Sequence, residues 1–122
     1  MSGPLPPPPA QLEDASPAVP AFVSQRYEEG MQRYRGGDLV GAMRAWEDVS
    51  RAAPHYNEVN QNLVRVYRVT GLESYTEGHL REAVDIWEKA LRLEPDNLQL
   101  ARYLNQAKEK LKRTQATDSP VR

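Results

Sequence analysis

The sequence predicts an all-α fold of stacked helix–turn–helix units, five helices in total, and three observations predict it. Gly30, Tyr34, Gly37, Leu39, Ala42, Trp46, Glu47 and Pro54 recur as Gly71, Tyr75, Gly78, Leu80, Ala83, Trp87, Glu88 and Pro95, every pair at the same offset of 41 residues. A period of roughly 20–50 residues marks stacked supersecondary units. Between the repeated glycines and prolines, apolar residues fall at helical spacing. The breaks themselves come in the same order twice, glycine opening a turn and proline closing a helix.

The first 21 residues stand apart. Seven of the ten prolines lie before residue 22, with only Glu13 and Asp14 as charges, so residues 1–21 are expected to be an extended, disordered Pro-rich segment. Its stretch Pro4 to Pro9 reads as a passive spacer ahead of a polyproline ligand for an SH3- or WW-type groove, because no basic residue flanks it. The helical domain is expected over residues 22–113. Phe22, Val23, Tyr27, Met31 and Tyr34 pattern the first helix, and Gly36-Gly37-Asp38 breaks it, with Asp38 placed to cap the second. Leu39, Ala42, Met43, Trp46, Val49 and Ala53 form the stripe of that second helix, which Pro54 ends.

His55-Tyr56-Asn57 is the connector, and Asn57 is expected to cap the third helix, about Glu58 to Tyr75. The wide apolar surface of that helix (Val59, Leu63, Val66, Tyr67, with Val64, Val69 and Leu72) suits an element packed on more than one side. A fourth helix carries Leu80, Ala83, Val84, Ile86, Trp87, Ala90, Leu91 and Leu93 and closes at Pro95. Asp96 or Asn97 caps the fifth, whose apolar side is Leu100, Leu104, Ala107 and Leu111; its charged remainder reads as a cap on the stack. Residues 114–122 are expected to be a disordered tail.

The repeated positions have a packing logic. A mid-helix glycine costs about 1 kcal/mol relative to alanine, so Gly30 and Gly71 are read as places where another backbone passes too close for a side chain. Ala42 and Ala83 would be the matching small residues, with Trp46 and Trp87 filling the space one turn on.

Composition narrows the function. A net charge of −1 argues against a chain built for nucleic acid, and the basic run from Arg102 to Arg113 reads as a solvated helix face. There is no cysteine, hence no disulfide or thiol chemistry. No secretory signal pattern and no membrane-length apolar run are present, so a cytoplasmic protein without membrane insertion is expected. Catalysis has no support either. His55 and His79 lack metal-ligand spacing, Gly36-Gly37 lacks the continuation of a phosphate loop, and acid pairs such as Glu82 with Asp85 read as solvated charges. No catalytic residue, metal ligand or cofactor is assigned.

The pattern resembles the tetratricopeptide repeat. The resemblance is carried by Gly30 and Gly71, the turns at Gly37 and Gly78, Ala42 and Ala83, Trp46 and Trp87, and Pro54 and Pro95; GHLREAVDIWEKALRLEPDN, from Gly78 to Asn97, is the best match. It covers about residues 24–113 and implies a right-handed α-solenoid of two units with a C-terminal capping helix. The usual repeat is about 34 residues, seven fewer than here, and the surplus is expected in the long third helix. Arg26 and Tyr67 stand where the family has an early Trp, and Glu29 and Thr70 where it has Leu.

By that resemblance the first helix of each unit lines a binding groove, which puts Tyr27, Met31 and Arg35 of the first unit beside Arg65, Arg68 and Leu72 of the second. Arginines mixed with Tyr, Met and Leu suit a protein or peptide segment with acidic and apolar residues. The paired Asn and Lys with which some members hold terminal carboxylates are missing at these positions. The expected function is therefore a non-catalytic protein-interaction scaffold. The alternative is a self-associating subunit, a homodimer formed through an exposed apolar edge of the N-terminal helix (Phe22, Val23, Met31).

Overall fold

A computed structural model describes residues 19–118. The proline-rich stretch up to residue 18 and the last four residues of the tail lie outside the described part. Five α-helices follow one another: α1 (Ala21–Arg35), α2 (Leu39–Ala52), α3 (Val59–Thr76), α4 (Leu80–Leu93) and α5 (Leu98–Asp118), with a 3-10 turn at Tyr56–Glu58. Among the described residues there is no strand. The helix-repeat organisation is thus present, and α2 and α4 begin and end at equivalent positions.

The two hairpins turn by the same chemistry. Gly37 (φ 86°) and Gly78 (φ 85°) take the left-handed conformation that ends a helix most cheaply with glycine. The next residue then bonds back across the turn, Asp38 N to Arg33 O at 2.8 Å and His79 N to Ser74 O at 2.8 Å. Asp38 caps α2 as expected, accepting from Gly41 N at 2.9 Å, whereas His79 makes no side-chain cap for α4. Ala53 and Glu94, each before a proline, leave the helix for extended backbone (φ −152° and −133°).

Between the units the chain departs from expectation. Asn57 does not cap α3; it and Glu58 both sit in the left-handed region (φ 44° and 57°), and α3 begins at Val59. That conformation turns the Asn57 carbonyl toward the Tyr27 hydroxyl, which donates to it at 3.2 Å. Helix α3 is the longer of the two first helices, with 18 residues against 15 in α1. At the other end Asn97 does cap α5, accepting from Leu100 N at 3.1 Å. The helix then runs past Arg113, where a tail was expected, to Asp118.

Each helix packs on its neighbours in sequence, and alternate helices are tied by side chains. Asn62 of α3 donates to the Tyr27 hydroxyl of α1 at 3.0 Å, Lys89 of α4 reaches Glu47 of α2 at 3.4 Å, and Lys110 of α5 lies 5.0 Å from the Tyr75 ring centre of α3. One layer therefore holds α1, α3 and α5, and the other α2 and α4. Helix α3 is flanked by both hairpin partners, and the core runs through it: Val59, Leu63, Val66 and Tyr67 are buried with Trp46, Val49, Trp87 and Ala90.

The repeat reaches into α5. Leu100, Leu104 and Ala107 are buried at the positions of Val59, Leu63 and Val66. Lys112 stands where the first two units have Gly30 and Gly71, and a lysine there leaves no bare backbone for an indole.

The glycines are the second correction. A Cβ on Gly30 would lie within 3 Å of three atoms of the Trp46 indole, and one on Gly71 would meet Trp87 in the same way. The glycine is bare to admit a ring, not a backbone, and the tryptophan fills the space over the glycine itself rather than one turn on. Each indole N–H then donates to the carbonyl three residues before its glycine, Trp46 to Tyr27 at 3.2 Å and Trp87 to Arg68 at 3.3 Å. Tyr34 and Tyr75 complete the match, at 5.8 Å and 5.9 Å from their tryptophans.

Candidate functional site

Six residues were expected to line one face of α1 and α3, and the structure treats them differently. Tyr27 is half-buried and structural: its ring packs against Trp46 and edge-on to Tyr56 (5.4 Å, 70°), while its hydroxyl joins Asn57 and Asn62. Met31 is half-buried against the core. Arg35 is exposed in the last turn of α1. Arg65 is exposed and donates to Asn62 Oδ1 at 3.4 Å, so Asn62 links Tyr27 to Arg65. Arg68 is half-buried, and Leu72 is 45% exposed.

The exposed members of the six are thus centred on α3, with Arg35 on α1. Leu72 and Val69 present exposed apolar surface, with Arg65 and Arg68 on the same helix. Tyr75, also on α3, lines a hollow with Asn105, Gln106, Glu109 and Arg113 of α5. Sequence reasoning missed Asn62, whose only local signal is its three-residue spacing from Arg65.

The apolar edge expected on α1 is largely closed. Val23 is fully buried and Met31 half-buried, which leaves Phe22, 49% exposed, as its apolar surface. Phe22 borders a shallow hollow with Arg26, Asp48, Arg51 and Ala52, where Arg26 pairs with Asp48 at 2.8 Å. That hydrogen bond raises the Arg26 guanidinium above its usual range.

A third hollow lies between α2 and α4, floored by α3. Its lining is Glu47, Ser50, Arg51, Leu63, Tyr67, Lys89, Arg92 and Leu93. Tyr67 donates to Glu47 Oε2 at 2.6 Å, and Lys89 reaches the same oxygen. Burial, reinforced by that carboxylate, pushes the Tyr67 phenol far above its ordinary range, so it stays a proton donor. Glu47 was legible as half of the repeated Glu47 and Glu88 pair: Glu88 meets Lys108 of α5 at 3.5 Å, one repeat on from Glu47 and Tyr67.

Both histidines sit at connectors, His79 3.6 Å from Glu77 with both side chains exposed. Among the described residues no three of His, Cys, Asp and Glu come together as metal ligands, and none of their helices is long and apolar enough to cross a membrane. Compared with protein-family models and with curated proteins, the chain gives no match.

Proposed function

We propose that the chain is a non-catalytic protein-interaction module of the tetratricopeptide type, a right-handed solenoid of two units and a capping helix, working in the cytoplasm. It holds a protein or peptide segment on the layer formed by α1, α3 and α5. The observation that carries this reading is Leu72, 45% exposed on the central helix together with the exposed Val69, with Arg65 and Arg68 on the same helix. Exposed apolar surface rimmed by charge is what a partner's apolar and acidic side chains would cover. Arg35 and Met31 extend the surface toward α1, while Tyr27 shapes it from beneath.

Affinity capture followed by mass spectrometry tests the reading, with wild type set against an Arg65→Glu, Arg68→Glu double variant. One abundant partner retained by wild type and lost by the variant is expected. Identical profiles from two equally folded proteins would remove this face from consideration. A second reading, a homodimer formed through the N-terminal edge, rests on the half-exposed Phe22 alone. Light scattering at high concentration decides it, since a clean monomer ends that reading.

A further inference from the structure

We propose that the hollow between α2 and α4 is a second binding surface, for an acidic peptide segment that sets two carboxylates against Arg51 and Arg92 and an apolar side chain between them. Three cations line it, Arg51, Lys89 and Arg92, against the single carboxylate of Glu47. That carboxylate is already answered within the chain by the Tyr67 hydroxyl and Lys89. Arg51 is bound to Asp48 through one of its terminal nitrogens. Arg92 is exposed and makes no hydrogen bond or ion pair among the described residues.

The two arginines hold equivalent positions one repeat apart, so neighbouring helices of one layer present them in register. Residues three apart in a polyproline II segment share a face and lie about 9 Å apart, so one segment can offer a carboxylate to each arginine. Between the guanidinium groups the floor is Leu63, buried, and Leu93, half-buried, where an apolar side chain can rest.

This surface is separate from the one bearing Arg65, Arg68 and Leu72. At 3.6 residues per turn, Leu63 and Tyr67 point to the opposite side of α3 from those three. Binding here neither requires nor excludes binding there.

Fluorescence anisotropy of the full chain with a labelled peptide Ser-Glu-Leu-Ser-Glu-Ser, and with its Gln counterpart, tests the proposal at low and moderate salt. The Glu peptide should saturate wild type, weaken as salt rises, and weaken about tenfold, or 1.4 kcal/mol, with Arg92→Gln. Adding Arg51→Gln should weaken it further, and the loss with Arg92→Gln should persist in an Arg65→Gln, Arg68→Gln background, which removes any share held by the other face. Equal binding of the Gln peptide, an inert Arg92→Gln, loss that follows Arg65 and Arg68 instead, or no saturation up to about 1 mM would each overturn it. Arg92 makes no hydrogen bond or ion pair among the described residues, so Arg92→Gln is expected to fold as wild type, and a circular dichroism melt of each sample checks this directly.

Discussion

The hairpins α1–α2 and α3–α4 share one lock and differ in what surrounds it. In both, a glycine bares the first helix, an indole from the second lies on it, and the indole N–H bonds a carbonyl three residues before the glycine. Around that lock the residues diverge by neighbourhood. Where α3 meets α2 with Leu63, Val66 and Tyr67, α1 carries Phe22, Gln25 and Arg26, of which Phe22 and Gln25 are exposed and Arg26 pairs with Asp48 of its own hairpin partner. The lock holds a hairpin together, and the residues around it decide whether the hairpin stacks.

The sharpest way to break this comparison is at the rings. Trp46→Ala and Trp87→Ala should each cost about 3–5 kcal/mol in urea denaturation. A difference above about 1 kcal/mol between them would show that the two locks are not equivalent. The glycines come next: Gly30→Ala and Gly71→Ala should each destabilise by about 1–3 kcal/mol through overpacking against the indole. The sign is the informative part, because alanine in an open mid-helix position would stabilise.

Smaller effects test the divergence. Tyr67→Phe removes a donor from a Glu47 side chain only 20% exposed and should cost about 1 kcal/mol by thermal melt. Arg26→Gln, at the equivalent position but in a 30% exposed pair, should cost less. Smallest of all, Asp38→Ala should lower the melting temperature slightly and His79→Ala should not, since only Asp38 caps its helix. The Gly41 N–H, and then Arg33, hold the Asp38 carboxyl below its ordinary range. Its contribution is therefore in place above the usual aspartate pKa, about 4, and is lost as pH falls through the lowered value. Wild type and Asp38→Ala should converge in acid; a gap that persisted there would assign the effect to something other than the ionised cap.

Much of the fold was legible because its determinants are local and repeated. Gly37 and Gly78 announce their turns, Asp38 and Asn97 their caps, and Pro54 and Pro95 their stops. What stayed hidden depends on partners distant in sequence. A bare glycine cannot say whether a ring or a backbone covers it. Asn57 looks like a cap by type, yet a tyrosine 30 residues earlier takes its carbonyl and the chain turns left-handed instead. Val23 reads as an exposed edge in one dimension and is buried in three. For the proposed binding face, the apolar and basic types at Leu72, Arg65 and Arg68 were legible, but the commitment of Tyr27 to Asn57 and Asn62 was not. The basic hollow behind was missed because Glu47 and Tyr67 lie on separate helices.

Helix α3 serves both hairpins at once, and that has a kinetic and thermodynamic corollary. Because Val59, Leu63, Val66 and Tyr67 are buried in a core that holds Trp46 and Trp87 alike, neither hairpin can melt and leave its neighbour whole. Opening should be a single cooperative event through the middle, with only the outer turns of α1 and α5 fraying alone, and the slowest amide hydrogen exchange should map to α3.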